Sequence, residues 1–193
     1  MKAVPLPLAE KLFDQSEAVF AGTLARLEDV AVAVNVSRAT LYYYFGGQDD
    51  LRAFLITEHV RGGSAAIAAA AAEPRSSALE RLQAVLAAMT SYLGERPGFC
   101  AAMLGSLGSA GSNAELAAAL QLNHSEITEP IRRLLGDAAI EGAIAVDDLA
   151  AAADTILGGV LFAVLGRARR APVDSAFARQ VSEQLVRGIT ERG

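Results

Sequence analysis

Apolar positions recur along this chain at intervals of three and four residues, the spacing that lines one face of an α-helix. Leu8, Leu12, Val19 and Phe20 predict a first helix over 7–21, with Pro7 in the opening turn, where its missing N–H leaves no bond unmade, and Gly22 at the end. Leu27, Val30, Ala31 and Val34 mark a short helix over 27–34, and Leu41 and Phe45 mark another over 38–45, stopped by Gly46-Gly47. Between them Asn35-Val36-Ser37 reads as a tight turn, because Asn tolerates left-handed backbone and Ser is a preferred N-cap. A longer helix opens at Gln48 with Asp49 and Asp50 at the positive end of its dipole and runs through Leu51, Phe54, Leu55 and His59 toward Arg61. Gly62-Gly63 and the alanines of 65–72 blur its far end, and Glu73-Pro74 closes it.

Ser76 or Ser77 can cap the next helix, which carries Leu79, Leu82, Val85, Leu86 and Met89 up to Gly94. Residues 96–113 mix apolar and small side chains and predict a short or broken helix. A long helix over 114–140, a break at Glu141-Gly142, a helix over 147–170 opened by Asp147-Asp148, and a last helix over 175–189 beyond Pro172 complete the pattern. The expected fold is all-α with about nine helices, divided at the Gly46-Gly47 turn or in the helix just after it, and drawn at the turn as a small unit, 1–47, and a large one, 48–193.

Composition narrows the function. Alanine and leucine dominate, aromatic residues are 6% and tryptophan is absent, so no sheet is expected. Cys100 is the sole cysteine and cannot form an intramolecular disulfide, which fits a reducing compartment. Charges at Glu10, Lys11, Asp14 and Glu17 interrupt any leader-like apolar run, so a cytoplasmic location is expected. The longest apolar run, 155–166, falls short of the roughly twenty residues that span a bilayer and reads as a buried helix, with no membrane partner. His59 and His124 are far apart in sequence and no glycine-rich phosphate loop is present, so neither a metal cluster, a nucleophile with its base, nor a nucleotide site can be assembled. No enzymatic activity, cofactor or metal is expected; Asp49-Asp50 and Asp147-Asp148 are helix-start charges.

The stretch 27–51, LEDVAVAVNVSRATLYYYFGGQDDL, has the makeup of a helix-turn-helix. Its core side is Val30, Val34, Val36, Leu41 and Phe45, and Ser37, Arg38, Ala39, Thr40, Tyr43 and Tyr44 face outward. That set can donate to phosphates, reach guanine N7 and O6 through Arg38, and pack a thymine methyl against Ala39. Charge runs against it: the net charge is −5, and residues 1–60 hold five lysines and arginines against eight aspartates and glutamates, whereas phosphate neutralisation supplies much of DNA affinity. The second reading is therefore a helical small-molecule-binding or interaction protein whose DNA binding is weakened or lost.

Asp29-Val30-Ala31, Val34-Asn35-Val36-Ser37, Thr40-Leu41-Tyr42, Tyr44-Phe45 and Leu51 together resemble, in register, the turn region of the tetracycline-repressor (TetR) family of regulators, D-I-A-x-x-A-G-V-S-x-x-T-L-Y-x-H/Y-F-x-S-K-x-x-L. The resemblance implies an all-α homodimeric repressor in which residues 37–44 enter the major groove of a palindromic operator and Thr40, Tyr42 and Tyr44 contact bases or backbone. Departures from the pattern are informative. Asn35 stands for a glycine, Gln48 for a phosphate-gripping lysine and Arg26 for a capping threonine, the last returning a positive charge, so DNA binding weaker or more salt-sensitive than usual is expected. Arg26 and Gln48 join the expected DNA-contact set.

Beyond residue 60 a looser resemblance covers Pro97-Gly98-Phe99-Cys100 to Leu104-Gly105-Ser106-Leu107 and Glu141-Gly142-Ala143-Ile144 to Asp147. It implies a domain that binds a small effector between helices and dimerises. Candidate pocket walls are Met89, Tyr92, Leu93, Phe99, Cys100, Met103, Leu104, His124 and Phe162, an apolar set suited to a mostly hydrophobic ligand. Near-continuous apolar cover on the last two helices, with Ile156, Leu157, Val160, Leu161, Val164, Phe177, Val181 and Leu185, predicts a four-helix interface between two copies.

Overall fold

The structure, a computed structural model, describes residues 2–74, 77–107 and 114–190. Among these residues the regular elements are helices: α1 Leu6–Asp14, α2 Ser16–Phe20, α3 Leu27–Ala33, α4 Arg38–Tyr44, α5 Gln48–Ala72, α6 Ala78–Gly94, α7 Pro97–Leu107, α8 Ala114–Asn123, a π-helical turn His124–Thr128, α9 Glu129–Ile140, α10 Leu149–Ala168 and α11 Ser175–Thr190. The chain divides into two compact units, one of residues 1–60 and 98–122, the other of 61–97 and 123–193. Of the two seams offered by the sequence the boundary lies in the second, inside α5, the helix just after the Gly46-Gly47 turn, and α7 and α8 join the N-terminal helices in the first unit.

In the first unit Leu8, Leu12, Val19, Leu27, Val30, Val34, Leu41, Phe45, Leu51 and Leu55 form one buried cluster. The first predicted helix is broken at Gln15, whose backbone leaves the helical region at φ −96°, ψ 2°. The break turns Ser16 inward, where its hydroxyl meets His59 Nε2 at 2.9 Å. His59 is itself buried, stacked on Phe99 with ring centroids 4.7 Å apart and flanked by Phe13 at 4.3 Å. Glu17, one residue on, caps α7: its carboxylate accepts the N–H groups of Gly98 at 2.7 Å and Phe99 at 3.0 Å, two of the donors that a helix start leaves without partners. A Cβ on residue 98 would stand 2.8 Å from the Glu17 carboxylate, so this cap requires glycine.

In the second unit α6 packs against α9, α10 and α11 and supplies Leu82, Val85, Leu86 and Met89 to the core. Ser77 caps α6, accepting the Glu80 N–H at 3.2 Å, while both oxygens of Glu141 accept the Ala78 N–H; Ser76, the other candidate cap, lies outside the described residues. The Glu141-Gly142 break is a Schellman turn, with Gly142 at φ +71°, the Gly142 N–H on Ala139 and the Ala143 N–H on Ala138. Two predicted ends hold. α5 runs unbroken through Gly62-Gly63 to Ala72, ahead of Pro74, and Gly62 leaves room for the ring of Tyr92, which a Cβ there would meet. The helix predicted over 114–140 is continuous but widens into a π turn at 124–128, directly before Pro130, whose ring cannot sit over an ordinary helical carbonyl four residues back.

The helix expected to be buried, α10, meets that expectation on one face only. Ala153, Ile156, Val160 and Val164 form its inward row. Alanines 150–153 extend the apolar run beyond 155–166, so α10 is long and apolar enough to cross a membrane by length and composition, yet only 22% of its most apolar window is buried. Outside that row α10 carries Leu157, Leu161 and Leu165, half-buried, and Phe162, exposed. Its opening turn is capped by Asp148, which accepts from Ala150 at 3.0 Å and Ala151 at 2.9 Å, and not by Asp147.

Candidate nucleic-acid interface

Local chemistry fixes the geometry of the α3–α4 pair. At the end of α3 the Asn35 N–H bonds Val32 and the Val36 N–H bonds Ala31, a Schellman turn with Asn35 at φ +55° in the position usually left to glycine. Val36, the next residue, packs on the core, and Ser37 then starts α4: its hydroxyl accepts the Thr40 N–H at 3.0 Å and lies 2.8 Å from the Thr40 hydroxyl. Leu41 and Phe45 are fully buried and pin one side of α4 to the cluster. Around the rest of α4 and its cap Ser37, Arg38, Ala39, Tyr42 and Tyr43 are exposed, and Thr40 and Tyr44 are half-buried, Tyr44 packing against the cluster. Seven of the nine residues expected to contact DNA therefore lie on α4 and its cap, five of them exposed, with Tyr43 and Tyr44 packed edge to face at 5.0 Å.

The other two lie off it, each with an intramolecular partner. Arg26 is exposed but grips Asp29, Nε to Oδ2 at 3.2 Å and Nη2 to Oδ1 at 3.1 Å. That pairing pushes the guanidinium pKa up and holds the Asp29 carboxyl below its usual range. Gln48 is half-buried and donates to the Leu24 carbonyl at 2.9 Å, and its amide oxygen is buried without a hydrogen bond. It braces the start of α5 through that bond.

Sequence reasoning missed Glu28. Its carboxylate accepts the Tyr42 O–H at 2.9 Å, across 14 residues of chain. Hydrogen bonds from its own backbone N–H and from Tyr42 hold the Glu28 carboxyl below the usual range, so the charge persists at neutral pH. The same bond pushes the Tyr42 phenol up, keeping its proton in place. Tyr42 thus spends its donor on a carboxylate beside α4, and a phosphate seeking that donor meets the Glu28 charge. No sequence signal marks this contact, since a Glu in the first turn of α3 is equally explained by the helix dipole.

The expected pocket walls fall in both compact units. Phe99, Cys100 and Met103 in the first are buried and Leu104 is half-buried. Burial, with the Glu17 carboxylate as the next cause, pushes the Cys100 thiol up to about 12. In the second unit Met89 and Leu93 are buried and Tyr92 is half-buried, with the Arg96 guanidinium 4.0 Å from its ring centre. His124 is exposed on the π turn. Phe162 is 67% exposed, because it lies outside the inward row of α10, and so walls no enclosed space in the protomer. Of the residues expected between two copies, Ile156, Val160, Val164 and Val181 are buried within the protomer, whereas Leu157, Leu161, Phe177 and Leu185 stay partly exposed. Among the described residues no group of three or more His, Cys, Asp or Glu is placed to hold a metal ion.

No protein-family model and no curated protein sequence matches the chain. Solved structures do match it over its whole length. A TetR-family transcriptional regulator, PfmR from Thermus thermophilus, superposes with a TM-score of 0.71 at 22% identity, covering 100% of both chains. The fatty acid degradation regulator FadR from Bacillus halodurans gives 0.77 at 19% identity, covering 99% of this chain and 100% of its own. The ketosteroid transcriptional regulator KstR2 of Mycobacterium tuberculosis gives 0.71 at 18% identity, covering 95% of each. The chain has the all-helical fold of the TetR-family regulators.

Proposed function

We propose that the protein is a sequence-specific DNA-binding transcriptional regulator, a repressor that acts as a two-fold dimer and is released by a small, mostly apolar effector. One observation carries the reading: the outward face of α4 is accessible over Ser37, Arg38, Ala39, Tyr42 and Tyr43 and rigidly presented by the Asn35 turn and the Ser37 cap. A helix held this way can enter a major groove, with Arg38 on guanine, Ala39 on a thymine methyl, and the hydroxyls and Tyr43 on backbone. Resemblance in the turn motif and likeness of fold point the same way. The second copy is supplied by the uncovered side of α10, where Leu157, Leu161, Phe162 and Leu165 leave a stripe too apolar for a solvated surface. Residues such as Val160 and Val164 support that face from beneath. An apolar effector is consistent with structural neighbours described as a fatty acid degradation regulator and a ketosteroid transcriptional regulator.

The test is a mobility shift of DNA from upstream of the protein's own gene, paired with light scattering. A retarded complex weakened in Arg38→Ala, together with a dimer that Phe162→Asp dissociates, is expected. A monomer at micromolar concentration that shifts no DNA would contradict the proposal.

A further inference from the structure

The chain segment before α1 lies beside the face that Tyr43 and Tyr44 present. Lys2 places its ammonium 3.5 Å from the centre of the Tyr43 ring. The path that brings it there is stiff: Val4 packs on the core cluster, Pro5 takes an extended conformation at φ −61°, ψ 141°, and Pro7 sits in the first turn of α1. Lys11, one turn further along α1, is exposed and lines a groove of about 280 Å³ with Pro5, Pro7, Thr40 and Tyr44. Two ammonium groups from before and within α1 thus flank the recognition helix on the side of Tyr43 and Tyr44.

Charges around α4 differ from one side to the other. On the α3 side Arg26 is paired with Asp29, and Glu28 holds Tyr42, so that edge presents bound carboxylates. At the start of α5, where the resemblance places a phosphate-gripping lysine, Gln48 is turned onto the Leu24 carbonyl. An ammonium over a tyrosine face keeps its outward N–H groups free for another acceptor, and the ring restricts where it points, which lowers the ordering cost of contact.

The geometry points to Lys2 and Lys11 as a site for the DNA sugar–phosphate backbone, positioned by Tyr43 and Tyr44, that grips the strand alongside the groove α4 enters and takes over the anchoring that Gln48 does not provide. This inference rests on the DNA-binding reading above and adds to it the residues that carry the sequence-independent part of affinity. Such contacts release counterions without reading bases.

The experiment measures Kd against salt concentration for the full chain on two duplexes: a palindrome enriched from random sequence by the wild-type protein, and a scrambled control. Each phosphate contact contributes about 0.9 to the slope of log K against log salt, so Lys2→Ala should reduce the slope by about 1.8 for a dimer. Affinity should fall by the same factor on both duplexes, Lys2→Arg should restore the slope, and Tyr43→Leu should remove most of the effect of Lys2→Ala. Lys11→Ala should act likewise. If the wild type enriches a palindrome but neither lysine variant changes the slope, or if the loss is confined to the enriched palindrome, the phosphate site is wrong while the regulator reading stands. If the wild type enriches nothing and does not bind the scrambled duplex, both fall.

Discussion

Removing the Glu17 carboxylate should loosen the first unit, and the same site allows the cause to be isolated. Glu17 accepts two backbone N–H bonds at the start of α7, at 2.7 and 3.0 Å, in a partly buried setting. Hydrogen bonds to a charged group contribute about 1.5–3 kcal/mol, and loss of a helix cap costs about 0.5–2 kcal/mol; because the two bonds share one carboxylate, we expect Glu17→Ala to cost about 2–3 kcal/mol and Glu17→Gln about half that. Gly98→Ala supplies the control. In the native background the new Cβ lies 2.8 Å from Glu17 Oε2 and 3.1 Å from Cδ, so the carboxylate must leave its bonds, at about 1–2 kcal/mol. In the Glu17→Ala background that clash is gone, and replacing glycine within a helix should instead stabilise by up to about 1 kcal/mol. The sign of the Gly98→Ala effect therefore inverts between backgrounds. Urea midpoints of the four proteins, at unchanged slope, measure it. A Gly98→Ala effect of the same sign and size in both backgrounds would refute the account of this cap.

Further outcomes follow from other contacts. Cys100, the only thiol, has its folded pKa raised from 9 to about 12 by burial, so the stabilisation it represents is complete below pH 9 and is lost as pH rises from 9 toward 12. Stability should fall by up to about 1.4 kcal/mol per pH unit across that window. Cys100→Ala should flatten this component, and a thiol reagent at pH 8 should label the native chain only after denaturant is added. Glu28→Gln removes a negative charge beside α4 and weakens the hold on Tyr42, so DNA affinity by fluorescence anisotropy should rise several-fold at low salt, the gain shrinking as salt increases; an unchanged or lower affinity would count against the role given to Glu28. Asn35→Gly should be tolerated, whereas Asn35→Ala, forced to φ near +55°, should lower thermal stability by about 1 kcal/mol.

What is legible in the sequence has local causes. The α3–α4 turn can be read because Asn35 and Ser37 each carry their conformational preference within one or two residues, and the structure uses both as expected. The continuous helix over 114–140 is equally readable, and Pro130 is the signal that locates its π turn. What escapes depends on partners distant in the chain. The motif assigns Gln48 to DNA, but the carbonyl of Leu24 turns it inward. Tyr42 keeps its place in the motif and loses its free donor to Glu28. On α10 apolar residues occur all round the helix, so periodicity cannot separate inward Val160 and Val164 from outward Phe162. Of the two seams the sequence offers, the glycine pair at 46–47 is only a turn between two helices, and the compact units divide between Val60 and Arg61, inside the helix that follows, at a point no break in that helix marks.

DNA recognition by this chain stands or falls on the outward face of α4. Full-length wild-type protein and Arg38→Ala should be carried in parallel through selection from a random-sequence duplex pool, with the enriched DNA sequenced. The wild type should enrich a palindrome whose half-sites lie about one helical turn or a multiple of it apart, and Arg38→Ala should lose preference at one guanine position in each half-site while retaining weak, sequence-independent binding. Enrichment of no palindrome, or of the same palindrome with undiminished preference by Arg38→Ala, would contradict the claim that this face reads DNA.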